Sequence, residues 1–285
     1  MFERFVRFEE GTYGTRAVLV APWSSESAAL LKSRPFFELH INNALGWKGE
    51  SLDFLYSMGH LHSLKILDFS LPSIEPVHAL HDLRELSIGT YCMTELRFQE
   101  FPLLETCGIE WRPKAKSISH STGLKSLFVN RYKGRDLSLF SELKNLEVLT
   151  ILNAPLSSVS ELIAFPKLRR LRFGGLRCLK SLDGLQHLTS LVELNINTCR
   201  KITSIDEIAS LRQLKMLHFS NNGSIQSISP VNALENLETF IFTESTNVVD
   251  GDLSPLLMMP RLKDVSFQDR SHYSHKRAGF SKDKE

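Results

Sequence analysis

The stretch LVELNINTCRKITSIDEIASLRQLKML, which spans Leu191 to Leu217, contains one complete unit of a pattern that repeats along the chain. Leu194 and Ile196 are two residues apart, so they point to one side of an extended strand, while the polar residues between them point to the other side. Apolar residues then recur every third position from Ile202 to Leu214, which is typical of a helical or 3-10 segment with one buried stripe. The stretch therefore predicts a strand, a turn and a compact return.

This unit, written L-x-x-L-x-L with related apolar residues allowed, can be placed at eleven positions in the sequence. The first interval, from residue 36 to residue 64, is 28 residues and predicts an irregular insertion, whereas the later intervals are 19 to 25 residues. Ten returns at a nearly constant period are the leucine-rich repeat signature. The predicted core positions are Phe36/Leu39/Ile41, Leu64/Leu67/Phe69, Leu83/Leu86/Ile88, Leu104/Cys107/Ile109, Leu124/Leu127/Val129, Leu146/Leu149/Ile151, Leu168/Leu171/Phe173, Leu191/Leu194/Ile196, Leu214/Leu217/Phe219, Leu237/Phe240/Phe242 and Leu262/Val265/Phe267.

The repeats predict an α/β solenoid, a leucine-rich repeat arc capped at both ends. Its concave side would be a parallel β-sheet of about eleven strands, and its convex side would carry short helical, 3-10 or extended returns. We expect residues 1–35 to form an N-terminal cap, a hairpin followed by a short helix that begins after a serine cap. Residues 36–270 would form the solenoid. Residues 271–285 would form a C-terminal cap and tail, disordered over about its last ten residues.

Three return segments carry a resemblance to a known subclass of repeat proteins. They are VSELIAFPKLRRL at 159–171, IDEIASLRQLKML at 205–217 and ISPVNALENLETF at 228–240. They resemble the short repeats of bacterial internalins and of a phosphatase regulatory subunit. Segments 108–118 and 240–276 are also similar to bacterial leucine-rich repeat proteins that have no assigned activity. The resemblance implies the repeat architecture and a role in binding, but no particular partner.

Composition and charge exclude several classes of function. The 34 Lys and Arg residues nearly balance the 32 Asp and Glu residues, so the formal charge of +2 does not call for nucleic acid or an anionic membrane as a partner. The start, MFERFVRFEEGTYG, intersperses charges among its apolar residues and lacks the hydrophobic run of a secretory signal, which internalins carry. We therefore expect a cytoplasmic protein. The four cysteines form no C-x-x-C pair and are predicted to be packed, reduced thiols.

Motifs of known catalytic or cofactor-binding chemistry are not found in the sequence. There is no nucleophile elbow, Walker loop, zinc-protease motif or kinase signature, so the prediction is that the chain is not an enzyme and holds no cofactor or metal. Gly11 and Gly14 are interpreted as a hairpin turn rather than a phosphate loop. Asn222 opens a glycosylation sequon, but it occupies the asparagine position of the repeat, whose side chain caps internal backbone groups. His272 and His275 could bind a metal by spacing alone, although a cap or solvent-facing role is the favoured interpretation.

The concave face supplies the candidate site. Residues between the core positions stand out from the sheet, and two neighbourhoods there combine exposed apolar or aromatic side chains with arginine or histidine, which is typical of binding hot spots. The alternative is that loops or the cap cover these side chains, or that they are ordinary single exposed apolar residues. The predicted partner-binding residues are Trp111, Phe128, Arg131, Val148, Leu152, Arg170 and Arg172 in the first neighbourhood, and Met216, His218 and Ile241 in the second.

The function favoured by this surface is binding of a folded protein partner, because a rigid face binds without a large ordering entropy. By analogy, the specific role would be a bacterial immunity protein or an inhibitor that masks a toxin or enzyme. A regulatory or targeting subunit that positions an enzyme is the alternative hypothesis. A third class, repeats fused to a ubiquitin-ligase domain, is disfavoured because only about 15 residues follow the last repeat.

Overall fold

The computed structural model describes residues 4–280, and within that range fifteen strands and one α-helix are found. Thirteen of these strands belong to one sheet, and β12 and β14 form a second sheet of two strands. The strands are β1 (Val6–Glu10), β2 (Thr15–Leu19), β3 (Glu38–Asn42), β4 (Ser63–Leu67), β5 (Glu85–Gly89), β6 (Thr106–Glu110), β7 (Ser126–Asn130), β8 (Val148–Leu152), β9 (Arg170–Gly174), β10 (Glu193–Asn197), β11 (Met216–Ser220), β12 (Ser224–Ile225), β13 (Thr239–Phe242), β14 (Asn247–Val248) and β15 (Asp264–Phe267).

The first strands form a hairpin, β1 pairing antiparallel with β2, and β2 then pairs parallel with β3. The helix α1 (Ser25–Lys32) lies between β2 and β3 in the chain. The Ser24 side chain accepts a hydrogen bond from the Ser27 backbone N–H, 3.2 Å away. A serine at this position satisfies one of the N–H groups that the first turn of a helix leaves without a partner. These elements lie where the N-terminal cap was expected, while its boundary at residue 35 stays a prediction.

Eleven strands of the described range, β3 to β11 with β13 and β15, carry the repeat pattern. Within β10, Leu194 and Ile196 are buried and alternate with partly exposed polar residues. Leu194 lies beside Leu171 of β9 and Leu217 of β11, so equivalent core positions form continuous rows. The side chains between the core positions point to the other side of the sheet, which we call the open face.

The return segments are short 3-10 helices, because apolar residues three apart face one side of a 3-10 turn. In the described range the α-helical return α1 is the exception. The 3-10 segments are Asn43–Leu45, Asp53–Ser57, Glu75–Ala79, Phe98–Glu100, Pro113–His120, Ser138–Phe140, Ser160–Ala164, Leu185–His187, Asp206–Ser210, Ser229–Ala233, Ser254–Met258 and Arg277–Phe280.

The second repeat has a different register from the one expected. Leu64 and Ile66 pair with Leu39 and Ile41 of β3, so the core set is Leu61/Leu64/Ile66. The predicted core residues Leu67 and Phe69 are exposed instead. The corrected intervals are 25 and 22 residues (36 to 61 and 61 to 83), so the predicted 28-residue step disappears. Both registers place leucines three apart, so the local pattern does not separate them.

The chain divides into two compact units, Met1–Phe128 and Val129–Glu285. Trp47, Phe98 and Phe101 are among the largest buried side chains of the first unit. In the second unit, Phe242 and Phe267 stack with ring centroids 4.9 Å apart. Each unit thus buries aromatic and aliphatic side chains, and the boundary of the solenoid at residue 270 stays a prediction.

The asparagine position of the repeat performs the predicted capping in the second unit. The buried Asn222 side chain accepts a hydrogen bond from the Cys199 N–H and donates one to the Ile196 carbonyl oxygen, both at 2.8 Å. In the next repeat the buried Thr246 hydroxyl accepts from the Asn222 N–H and donates to the Phe219 carbonyl oxygen. These side chains supply partners for backbone groups that would otherwise be buried without one.

The residues that follow the last strand pack on the end of the second unit. The Tyr273 ring is buried beside Phe267, and its hydroxyl accepts a hydrogen bond of 3.0 Å from the Val248 N–H. Phe280, at the end of the last 3-10 segment, also contacts Phe267, with 5.8 Å between ring centroids. The segment is therefore folded up to residue 280, and the rest of the predicted disorder, at 281–285, lies outside the described residues.

All four cysteines lack a disulfide partner. Cys92, Cys107 and Cys199 are buried, as expected, but Cys178 is exposed, which corrects the expectation that all four are packed. Cys178 lies in the turn after β9, outside the row of core positions.

Candidate functional site

The open face of the second unit carries Val148 and Leu152 on β8 beside Arg170 and Arg172 on β9. Val148 pairs with Arg170, and Leu152 pairs with Gly174. Leu152 lies over Gly174, since a Cβ atom on that glycine would come within 2.8 Å of the leucine Cδ2 atom. The missing side chain of Gly174 thus gives Leu152 room to lie flat and half-buried. The alternation of burial places both arginines in solvent, as predicted.

The two arginines have different neighbours on the open face. Arg170 lies between Val148 and the carboxylate-bearing Glu193 of β10, and together they line a small cavity of about 190 Å³. Arg172 lies between Thr150 and Asn195, which are both neutral. Arg172 therefore has no carboxylate at the paired positions of the two neighbouring strands, whereas Arg170 is paired with Glu193.

The second predicted neighbourhood is also on adjacent strands. Met216 and His218 lie on β11, and Ile241 of β13 pairs with His218. The Met216 side chain is exposed, whereas His218 and Ile241 are half-buried. Burial lowers the pKa of His218, although the charge of Glu193 opposes this shift. The Nδ1 atom of the His218 ring lies 3.5 Å from the Asn195 amide nitrogen.

The remaining predicted residues fall on either side of the division between the units. Trp111 follows β6 in the first unit and is half-exposed, and Phe128, the last residue of that unit, is exposed on β7. Phe128 lies next to Gly108, whose missing side chain leaves space beside the ring. Arg131 lies in the second unit with a positive φ of 59°, and its N–H donates to the Leu152 carbonyl oxygen.

A cluster of exposed apolar side chains lies where β4 and β5 end, and the sequence pattern did not predict it. We call it the rim cluster, and it consists of Leu67, Phe69, Tyr91 and Met93, whose exposed fractions lie between 40% and 64%. The Phe69 and Tyr91 rings contact each other, with centroids 4.6 Å apart. Leu67 lies over Gly89, because a Cβ atom on Gly89 would come within 2.8 Å of the Leu67 Cδ1 atom. Leu152 lies over Gly174 in the same way. The expected register placed Leu67 and Phe69 in the core, and for that reason the sequence did not indicate an exposed cluster here.

A polar network occupies the open face near the hairpin in the first unit. Glu38 is fully buried and accepts hydrogen bonds from the Arg16 Nε atom at 2.8 Å and from the Tyr13 N–H at 2.6 Å. His40 lies two residues further along β3, between Val18 of β2 and Lys65 of β4. Burial, aided by the charges of Arg16 and Lys65, lowers the pKa of His40 from 6.5 to about 4. His40 is therefore neutral near pH 7.

Arg112 is a buried arginine at the repeat position that Cys199 and Asn222 occupy in two later repeats. Its guanidinium donates to the Thr90 hydroxyl at 3.0 Å and to the Cys92 carbonyl oxygen and sulfur, each at 3.3 Å. Burial raises the pKa of the Cys92 thiol, but hydrogen bonding from Thr90 and the charge of Arg112 outweigh burial and leave the pKa lowered. In this repeat the arginine therefore supplies hydrogen bonds to backbone and side-chain groups of the preceding repeat.

Metal-ligating side chains are not clustered in the part of the chain that the structure describes. Over residues 4–280, no group of three or more His, Cys, Asp and Glu side chains is placed to hold a metal ion. The two tail histidines bind protein groups, His272 the Val248 carbonyl oxygen and His275 the Ser274 hydroxyl. In the same range, no helix has the length and apolar content needed to cross a membrane.

Comparison with solved structures identifies the fold. An internalin, InlF, from Listeria monocytogenes superimposes with a TM-score of 0.59 at 18% sequence identity, over 91% of this chain and 84% of that chain. The fold is a leucine-rich repeat solenoid. The fold class predicted from the sequence is therefore confirmed, and so is its likeness to bacterial repeat proteins of the internalin type.

Two further structures are similar at lower TM-scores. Internalin C2 from Listeria monocytogenes has a TM-score of 0.44 at 18% identity, over 78% of this chain and 79% of that chain. A leucine-rich repeat protein from Leptospira interrogans has a TM-score of 0.47 at 15% identity, over 88% of this chain and 70% of that chain. No protein-family model matches the chain, and no curated protein matches it.

Proposed function

We propose that this chain is a non-enzymatic module that binds a folded protein partner through exposed side chains on the open face of its strands, with the rim cluster as the main candidate contact of the first unit. The rim cluster carries the proposal, because it exposes four large apolar side chains where neighbouring strands end, and exposed apolar patches mark interaction sites. Phe69 and Tyr91 also have the aromatic character that is typical of residues contributing most of the energy of an interface.

The second unit offers a polar contact surface of its own. Arg172 presents planar donors between two neutral neighbours, so a carboxylate of the partner can bind it without competing with a carboxylate beside it. Val148, Leu152 and Arg170 lie close to Arg172 on the same two strands. The other proposed contacts are Met216, His218, Ile241 and Arg131 in the second unit, and Trp111 and Phe128 in the first unit.

The specific role that we propose is inhibition or immunity, in which the module masks the active surface of a toxin or enzyme. A regulatory subunit that positions an enzyme would use the same surface, and it remains the alternative. We further propose that the protein works in the cytosol. Four cysteines without disulfide partners support that location, because oxidising compartments favour disulfides.

Affinity capture with matched variants tests this proposal. The tagged protein is incubated with an extract of its source cells, and captured proteins are quantified by mass spectrometry for the parent, Phe69→Asp and Arg172→Glu. The controls are Ile163→Asp, which alters an exposed apolar residue on a return segment, and Arg177→Glu, which alters an exposed arginine outside the strands. The proposal expects a partner that both controls retain and that at least one of the two surface variants loses. A partner retained by both surface variants would contradict it.

The activity of the purified partner then separates the two roles. If the module inhibits the partner in proportion to the fraction bound, the inhibitor or immunity role is supported. If the partner keeps full activity in the complex, the targeting role is supported instead.

A further inference from the structure

A cavity of about 480 Å³ opens in the first unit between α1 and the 3-10 turn Asp53–Ser57. It has room for about 16 water molecules, which is far more than a structural water needs and within the size range of small-molecule sites. The rings of Trp23 and Phe54 stack in its wall at 3.9 Å with an interplanar angle of 14°. Its apolar lining comprises Trp23, Ala28, Leu31, Phe36, Phe54 and Met58.

The sequence of α1 explains why the space is not filled. The helix SESAALLK buries Leu31 and directs Ala28 to the cavity, and the small alanine side chain leaves space there. The next return, Asp53–Ser57, is a 3-10 turn, which is slimmer than an α-helix. A wide return beside a narrow one, with a small side chain between them, leaves a gap.

The charges around this cavity have one sign. Lys32 and Arg34 line it, and so does His60, which is charged only when protonated, while no carboxylate is among the described residues that line it. The Arg34 guanidinium lies over the Phe8 ring at 4.6 Å, and the His60 ring packs edge-on against Phe36 at 5.2 Å. These aromatic contacts favour defined positions for the Arg34 and His60 side chains beside the cavity.

We propose that this cavity binds a medium-chain aliphatic carboxylate. The alkyl chain would lie among Leu31, Phe36 and the stacked Trp23 and Phe54 rings, where burial removes its apolar surface from water. The carboxylate would bind Lys32 and Arg34, and an arginine can hold a carboxylate through two parallel hydrogen bonds. The site shares no residue with the rim cluster, so this proposal does not depend on the proposed protein partner.

Calorimetric titration of the full chain with hexanoate, octanoate and decanoate tests the apolar half of the proposal. Binding should saturate at one carboxylate per chain, and each added methylene should tighten Kd about fourfold while the chain still fits, as burial of a methylene predicts. Fluorescence of Trp23, with Trp23→Phe as the reference, should change along the same binding curve. Absence of saturable binding of decanoate below its aggregation concentration would overturn the proposal.

Charge recognition is tested with 1-decanol and with single variants. Arg34→Gln and Lys32→Gln change exposed side chains, and each should weaken decanoate binding about tenfold while 1-decanol binding stays the same. Arg7→Gln, an exposed arginine on β1 that does not line the cavity, serves as the matched control and should bind like the parent. Equal binding of decanol and decanoate by the parent would overturn the proposal.

A filling variant tests the location. Ala28→Leu places a larger side chain in the cavity and should weaken decanoate binding at least about tenfold, whereas Ala29→Leu, on the exposed side of the same helix, should leave it unchanged. Thermal melting checks that both variants fold. If Ala28→Leu does not fold, the glutamine variants decide the outcome. Equal decanoate binding by the two folded leucine variants would place the ligand elsewhere and overturn the proposal.

Discussion

The aromatic rings of Phe69 and Tyr91 lie with their centroids 4.6 Å apart, and both side chains are exposed to solvent. The expected register placed Phe69 in the core, where a charge would be very unfavourable. The observed register places it in the rim cluster, where its ring contacts the ring of Tyr91. The two registers therefore predict different stabilities for the same variant.

Phe69→Asp tests the observed register. Because the carboxylate would remain in water, we expect the free energy of unfolding to change by no more than about 1 kcal/mol. A buried carboxylate would cost about 4 kcal/mol or more. Urea unfolding followed by circular dichroism measures the difference, with Ile66→Asp, a buried position on β4 three residues before Phe69, as the destabilised reference. Equal loss of stability in the two variants would return Phe69 to the core.

Leu194→Asp tests the part of the register that the sequence predicted correctly. Leu194 is buried between Leu171 and Leu217, so an aspartate there has no partner for its charge and should cost about 4 kcal/mol or more. Asn195→Asp makes a carboxylate at the next residue, on the open face, and should change stability by less than about 1 kcal/mol. Thermal melting of both variants checks the contrast, and similar melting temperatures would contradict the assigned register.

The repeats around Leu194 and Leu64 differ in how well their sequences determine the register of the strand. Around Leu194 the pattern has one solution, because the positions three residues before and after the core pair do not reproduce it. Around Leu64 it has two solutions, since Leu61, Leu64 and Leu67 are evenly spaced and Ile66 and Phe69 are both suitable last members. The choice depends on pairing with neighbouring strands, which is a tertiary contact. The rim cluster and the cavity beside α1 depend on that level of structure, so the sequence alone did not predict them.

The buried side-chain cap in the second unit gives a third prediction. Asn222→Ala would leave the Cys199 N–H and the Ile196 carbonyl oxygen without their partners, so we expect a loss of about 2–4 kcal/mol in the free energy of unfolding. Asn232→Ala, at an exposed position on a return segment, should cost less than about 1 kcal/mol. Denaturant titration measures both values. A loss below about 1 kcal/mol for Asn222→Ala would show that another group caps this repeat.

His40 should make stability depend on pH. Its pKa in the folded protein is lowered to about 4 from 6.5, first by burial and then by Arg16 and Lys65, while Glu38 and Glu85 oppose the shift. Below pH 6.5 the unfolded state therefore binds a proton that the folded state does not. The stability associated with the neutral ring is present above pH 6.5, and it is lost as the pH falls toward about 4.

The variant His40→Asn isolates this contribution. The fall in melting temperature between pH 7 and pH 4 should be smaller in this variant than in the parent, by the equivalent of roughly 1–2 kcal/mol once screening by water at the half-buried ring is included. His187→Asn, which changes an exposed histidine, should follow the parent. If His40→Asn has the same pH dependence as the parent, the ring is not held neutral by its surroundings.

Arg172→Glu is the prediction that bears most directly on function. The side chain is exposed on β9 with neutral Thr150 and Asn195 beside it, so reversing its charge should cost little stability. It would place a carboxylate where the proposed partner presents one. We therefore expect the affinity for that partner to fall about a hundredfold or more, because a charge-assisted pair is lost and a like-charge contact replaces it.

Arg172→Lys and Arg177→Glu make the result specific. Arg172→Lys keeps the charge but loses the planar pair of donors, so it should weaken binding about tenfold, less than the glutamate variant does. Arg177→Glu makes the same charge reversal in the turn outside the strands and should bind like the parent. Surface plasmon resonance with the purified partner, alongside thermal melting, separates affinity from stability. If Arg172→Glu binds as tightly as the parent and melts at the same temperature, the partner does not contact the open face at β9. The rim cluster in the first unit would then be the surface to test next.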